Sequence, residues 1–219
     1  MGTGAFAKLE ESIEYTRVTA VVISHMHADH FLDVIPFRYA LKYGPLERSG
    51  RIPLWLPPGG EAMLRTICGA FSSEGSDDFL DEVFVVREYD PSEPLEIGDL
   101  RVSFQRTVHY VDAYAIRSER GGSSIVYSAD TAPSREVERF AKDCSLFLCE
   151  ATLGLGSEIG ERGHLSAQEA GEMAERAGTH RLLLTHYGSE YAPGELVDMA
   201  DDAFPGTVAI ADDGLELSV

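Results

Sequence analysis

SHMHADH, residues Ser24 to His30, places three histidines and an aspartate within seven residues of a chain that has seven histidines in all. The stretch follows directly on TAVVI, residues 19–23. A near-continuous β-branched run of that kind is the pattern of a strand covered on both faces, and it is taken here to extend over residues 18–24. At the end of a strand, side chains two apart point to the same side, so His25 and His27 face together. Asp29 and His30 follow at the start of the next turn or helix. Such a cluster can present two imidazoles to one cation and a carboxylate with an imidazole to a second. Neutral imidazole and carboxylate suit Zn²⁺ in a hydrolytic site.

Further ligand candidates lie outward from this stretch. His109 follows VSFQRTV, Asp130 follows SSIVYSA, and His186 follows RLLLT. Each ends a strand-like run, where active-site loops gather. With the first cluster they make a set sufficient for two cations if one carboxylate bridges. Ions in such closely spaced sites sit roughly 3.5–4 Å apart. His180, in GTHRLLL, reads as a surface or packing residue.

Strand-like and helix-like segments alternate along the chain, with hairpins mixed in, which predicts stacked α and β layers with mixed sheets. Residues 5–14 read as an amphipathic helix. HFLDVIPFRYALKYG reads as one helix that Pro36 should break or kink. IPLWLPP is a short strand and GGEAMLRTICGAF a helix. Residues 83–89, 95–97 and 101–108 read as strands. YAIRSERGGSSIVYSAD is a hairpin turning at Gly121-Gly122. SREVERFAKD is helical and SLFLCEA a buried strand. In LSAQEAGEMAERAG, Ser166 followed by Glu169 forms a capping box. RLLLTHY is a buried strand, PGELVDMADDAF a helix, and TVAIADDGLELSV a closing hairpin.

The 18 basic and 37 acidic residues give a net charge of −19, and only Lys8, Lys42 and Lys142 are lysines. A field of that sign repels phosphate backbones at long range, so no extended nucleic-acid footprint is expected. Three cysteines fit neither a zinc ribbon nor a disulfide framework. Cys149 reads as a buried thiol, which points to a reducing compartment. No secretory signal pattern opens the chain, and no apolar stretch approaches the roughly 20 residues that span a bilayer. The expectation is a cytoplasmic protein without membrane contact.

HMHADH matches the H-x-H-x-D-H signature of the metallo-β-lactamase fold, and His109, Asp130 and His186 fall in that family's order. The resemblance runs over nearly the whole chain. It implies a single domain over residues 1–219, built as a four-layer αββα sandwich with mixed sheets. It also implies two divalent cations, zinc above manganese or iron. By position, His25, His27 and His109 would hold the first, Asp29, His30 and His186 the second, with Asp130 between them. CEAT at 149–152 and GHLSA at 163–167 resemble segments of the ribonuclease Z-like branch, which cleaves phosphodiesters. There His164 would protonate the leaving oxygen, Glu150 would orient it, and Asp29 would steer the nucleophile as well as bind metal. The chemistry is consistent: a departing alkoxide needs a proton, and a carboxylate neighbour raises the pKa of the imidazole that carries it.

The chain departs from the tRNA-processing members of that branch. Only 21 positions separate His109 from Asp130, room for one hairpin and no long basic arm. A small phosphodiester such as a cyclic nucleotide is therefore the expected substrate. The alternatives are tRNA 3′ processing, lactone or thioester hydrolysis, or an inactive metal-binding protein. No residue is seen to read a base; Tyr110 or Tyr114 could flank the substrate, with core packing the favoured reading of both. By analogy with the family, two or three strands that normally precede the first helix are missing. The expected consequence is an uncovered sheet edge and a homodimer.

Overall fold

The computed structural model describes residues 1–72 and 76–219. The chain divides into two compact units, Met1–Asp90 and Pro91–Val219.

The first unit holds helix α1 (Ala5–Ser12), strand β1 (Val21–Val22), helices α2 (Ala28–Phe31) and α3 (Val34–Tyr43), strand β2 (Ile52–Leu56), helices α4 (Gly60–Gly69) and α5 (Ser76–Asp81), and strand β3 (Phe84–Glu88). Its sheet is parallel, in the order β1-β2-β3. In β2 the alternate residues Ile52, Leu54 and Leu56 are buried. They join Ile23, Phe31, Val34, Phe37, Leu64 and Phe84 in one apolar core. Two expectations are corrected. The strand expected over 18–24 pairs only at Val21 and Val22, although the Ile23 N–H still donates to Trp55 O at 2.9 Å. The helix expected over 30–44 is two helices, and the break at Leu32–Asp33 precedes Pro36. Pro36 instead sits in the first turn of α3, where its missing N–H has no intrahelical partner to lose. Asp33 occupies the break and accepts the Phe6 N–H at 2.9 Å.

Arg38, on α3, is 1 % exposed, and no sequence pattern announced it. Its Nε donates to Phe79 O at 2.8 Å, its guanidinium lies 4.0 Å from the centre of the Phe79 ring, and it pairs with Glu82. A buried cation needs such partners to be tolerated.

The second unit holds β4 (Leu95–Ile97), β5 (Leu100–Arg106), β6 (Tyr114–Arg120), β7 (Ser123–Tyr127), α6 (Arg135–Phe140), β8 (Leu146–Glu150), α7 (Ala167–Ala177), β9 (Arg181–Thr185), α8 (Pro193–Asp201) and β10 (Thr207–Ile210). Its sheet runs β10-β9-β8-β7-β6-β5-β4. Pairings from β4 to β7 are antiparallel and those from β7 to β10 parallel. The expected mixed sheet is thus present. The apolar runs LFLCE and RLLLT are interior strands of this sheet, β8 between β7 and β9 and β9 between β8 and β10. Gly121 and Gly122 both have positive φ, 60° and 89°, in the two-residue turn between β6 and β7. Ser166 and Glu169 form the reciprocal capping box that starts α7.

The closing hairpin is corrected. β10 pairs in parallel with β9, and no strand follows it. Leu215 and Leu217 are 46 % and 44 % exposed, so the last segment gains little burial by which a return strand could be ordered.

All three cysteines are free and buried. Burial pushes the thiols of Cys68 and Cys144 up to about 11 and that of Cys149 well above its ordinary value, so they are unreactive at neutral pH. No helix among the described residues is long and apolar enough to cross a membrane.

Candidate metal centre

Each unit gathers its own imidazoles and carboxylates, and each set is built from the end of a strand. In the first unit the backbone leaves the sheet at Ile23 and Ser24. The buried Tyr89 hydroxyl donates to Ile23 O at 3.0 Å and lies 3.2 Å from Ser24 O, tying down the segment that bears the ligand candidates. His25 is fully buried. Its Nδ1 lies 3.1 Å from Ser24 Oγ, so a ligating role would fall to Nε2. The His25 ring centre is 5.0 Å from that of His27 and 4.0 Å from that of His30. His27 is extended, at φ −73° and ψ 143°, and caps α2. The first turn of α2 then carries Asp29 and His30, with Asp29 Oδ2 3.3 Å from His30 Nε2. A chain segment must pass close by: a Cβ on Gly2 would sit 2.0 Å from Asp29 O, so only glycine permits this contact.

The second unit arranges three imidazoles around one buried carboxylate. Asp130 is 1 % exposed. Its Oδ2 lies 3.8 Å from His109 Nε2 and 4.0 Å from His164 Nδ1, and its Oδ1 lies 3.7 Å from His186 Nδ1. One donor atom from each of Asp130, His164 and His186 fits within a mutual separation of 4.8 Å. The backbone is strained to achieve this. Ala129, just before Asp130, has φ 50°, and His186 has φ 52°. Left-handed geometry at residues with a Cβ costs of order 1–3 kcal/mol each and persists where the surroundings impose it. Thr107 Oγ1 donates to Asp130 O at 2.8 Å, and Ala132 N–H donates to Val108 O at 2.7 Å. These bonds lock the β5–β6 loop to the Asp130 loop.

Neighbouring groups set the orientation of the rings. Gly163 O accepts from His109 Nδ1 at 2.9 Å. That bond makes Nδ1 the protonated nitrogen and leaves the Nε2 lone pair directed at the Asp130 side, the usual arrangement of a metal-ligating histidine. His186 Nδ1 lies 2.8 Å from Thr152 Oγ1. The donor set, all imidazole and carboxylate, fits a divalent cation of the zinc type.

Glu150 is the other buried carboxylate, fully excluded from solvent at the end of β8. Its Oε1 accepts from Thr131 N–H at 2.8 Å and from His164 Nδ1 at 3.0 Å. Its Oε2 accepts from Thr152 N–H at 3.0 Å and Leu165 N–H at 3.2 Å. Burial alone would lower the His164 pKa. The Glu150 hydrogen bond and the charges of Glu150, Asp130 and Glu158 outweigh it, and the imidazole titrates above its ordinary value.

Within each unit, therefore, the expected residues come together: His25, His27, Asp29 and His30 in the first, and His109, Asp130, Glu150, His164 and His186 in the second. His180 is exposed, as expected. Tyr114 is buried, but Tyr110 corrects its expectation. It is 47 % exposed, and its ring centre lies 5.1 Å from that of His109 and 5.8 Å from that of His164. Sequence reasoning missed the roles of Ser24, Tyr89, Thr152 and Glu158. Tyr89, Thr152 and Glu158 each reach a partner 34 or more positions away, for which no local pattern exists, whereas Ser24 contacts the adjacent His25 ring.

Comparison with known proteins places this arrangement. Residues 5–187 match the β-lactamase superfamily domain. The probable metallo-hydrolase YhfI of Bacillus subtilis is 28 % identical over 215 residues, spanning 97 % of this chain and 84 % of that protein. The crystal structure of YhfI superposes with a TM-score of 0.85 at 26 % identity, covering 98 % of this chain and 84 % of that one. A ribonuclease Z of Methanothermobacter thermautotrophicus is 36 % identical over 129 residues, 58 % of this chain and 39 % of the relative. An α/β fold with mixed sheets, histidine–aspartate clusters at strand ends and a family match across most of the sequence make this chain a member of the metallo-β-lactamase superfamily, among its metallo-hydrolases.

Proposed function

We propose that the protein is a dinuclear metal-dependent phosphodiesterase acting on a small phosphodiester such as a cyclic nucleotide. Its ligands are His25, His27, Asp29, His30, His109, Asp130 and His186, and its cations are zinc. When bound, such cations supply Lewis acidity toward a phosphoryl oxygen and lower the pKa of water.

The observation that carries this reading is the Glu150–His164 pair, with Glu150 Oε1 3.0 Å from His164 Nδ1. Glu150 holds Nδ1, so His164 presents Nε2–H outward. A proton held there can be given to a departing alkoxide, the task of a general acid. The raised affinity of His164 for a proton serves the same task. Lactones and thioesters open with less need for such a donor. The short connection between His109 and Asp130, and the net charge of −19, favour a small diester over tRNA.

The test is His164→Ala, assayed on an alkyl phosphodiester and on a panel of lactones and thioesters, with metal content measured alongside. Phosphodiester turnover should fall roughly 10²–10⁴-fold, the usual contribution of a general acid, with metal retained. Full activity in the variant, or preferential hydrolysis of a lactone or thioester by the parent protein, would overturn the reading.

A further inference from the structure

We infer that Glu158 and Tyr110 form a positioning device that holds His164 in place, an inference that rests on the reading of His164 as the acid. His164 lies in the long connection between β8 and α7. Glu158 reaches across this connection. Its Oε2 accepts from Gly163 N–H at 2.8 Å and from His164 N–H at 3.3 Å, and its Oε1 accepts the Tyr110 hydroxyl. Tyr110 also packs on the Gly163 backbone: a Cβ there would fall 2.5 Å from Tyr110 Cε2. The carbonyl of the same glycine accepts from His109 Nδ1. One peptide segment thus connects Glu158, Tyr110, the His109 ring and the His164 backbone.

The remaining bonds to this segment are anchored in α7 and β8. Arg162 donates to His164 O at 3.3 Å, and Glu169 of α7 holds Arg162 through contacts of 2.9 and 2.8 Å. Leu165 N–H is held by Glu150. Glu158 is a carboxylate supplied by the loop itself, and its neighbour Ile159 is 96 % exposed. Without Glu158, the N-terminal side of the His164 peptide has no carboxylate to hold it.

The sign of the charge makes this role unusual and testable. A carboxylate beside the acid repels an anionic diester, so Glu158 acts against substrate binding by simple electrostatics. Its removal should therefore lower kcat through misplacement of His164 while leaving KM unchanged or reduced. A residue that merely stabilised the fold would not produce that split.

The experiment uses the full chain loaded with zinc, as Glu158→Ala and Tyr110→Phe variants, with His164→Ala as reference. Two substrates are compared: 3′,5′-cyclic AMP, which expels an alkoxide, and bis(4-nitrophenyl) phosphate, whose leaving group needs little protonation. Glu158→Ala should lower kcat on the cyclic nucleotide roughly 10–100-fold, the scale of a small misplacement, with little change on the nitrophenyl ester. Tyr110→Phe should shift in the same direction by less. In the metal-free protein, amide hydrogen exchange at Gly163 and His164 should speed up in Glu158→Ala.

The proposal is overturned by unchanged exchange at those amides, by a Glu158→Ala rate ratio between the two substrates equal to that of the parent, or by uniform loss of both activities together with metal. Failure of the underlying reading shows separately: His164→Ala would then slow both substrates equally, while the Glu158 contacts still stand or fall on the exchange data.

Discussion

Replacing Glu150 by glutamine changes one heavy atom of a side chain that is 0 % exposed, and its cost can be worked from the contacts. The carboxylate accepts four hydrogen bonds, two at each oxygen: Thr131 N–H and His164 Nδ1 at Oε1, Thr152 N–H and Leu165 N–H at Oε2. Glutamine offers one oxygen and one NH₂. With the amide oxygen kept toward Thr131 N–H and His164 Nδ1–H, the NH₂ faces the two N–H donors of Thr152 and Leu165. A hydrogen bond to a charged group is worth about 1.5–3 kcal/mol, so losing two removes roughly 3–6 kcal/mol. For a chain of this size each kcal/mol shifts the melting temperature by about 2–4 °C. The metal-free Glu150→Gln protein should thus melt roughly 6–24 °C below the parent in a circular-dichroism scan. The control is Glu136→Gln, whose carboxylate pairs with the exposed Arg139 three residues on and accepts a long contact, 3.4 Å, from Ser134 Oγ. It should change stability by less than about 0.5 kcal/mol. A Glu150→Gln melt matching that of the control would refute the claim that this carboxylate organises the loops around it.

Three further outcomes are expected. Ser166→Ala removes one half of the capping box at the start of α7 and should cost about 1 kcal/mol, read as a lowered urea midpoint with an unchanged slope; a shift in slope alone would point elsewhere. His164 has a folded pKa raised above its reference of 6.5, so its stabilising contribution is complete below that reference and is lost as pH rises through the folded value. The melting gap between metal-free parent and His164→Gln should therefore be wider near pH 5.5 than near pH 9, and a gap that does not depend on pH would refute the assignment. Zinc at about 100 times its dissociation constant should raise stability by roughly 2.7 kcal/mol; chelation should reverse the gain, and His109→Ala should reduce the number of ions bound, as measured by atomic absorption.

Much of the fold and most of the candidate ligands are legible locally. SHMHADH after a β-branched run, GHLSA ahead of an amphipathic helix, and the double glycine between β6 and β7 are each decided by neighbouring residues. The errors share a different origin. Residues 18–20 have strand propensity, but β1 pairs only at Val21 and Val22. Pro36 marks a helix boundary near enough to be noticed, yet Asp33, through the Phe6 N–H, occupies the break. GLELSV alternates like a strand, but its leucines remain exposed and no partner strand forms beyond β10. Tyr110 reads like any core aromatic until its hydroxyl is found on Glu158, 48 positions away.

The types and chain order of the candidate metal ligands were determined by the amino-acid sequence, because donor chemistry and strand-end spacing are local properties. So were the alternation of strands and helices and the want of a basic arm. What only the tertiary structure decided is how those residues are held. Asp130 is surrounded by imidazoles from the β5–β6 loop, the β8–α7 connection and the end of β9, and Glu150 accepts from four residues of three separate segments. Gly163 joins the orientation of His109 to the position of His164. Those relations depend on burial and on hydrogen bonds between residues far apart in the chain, and no window along the sequence contains both partners.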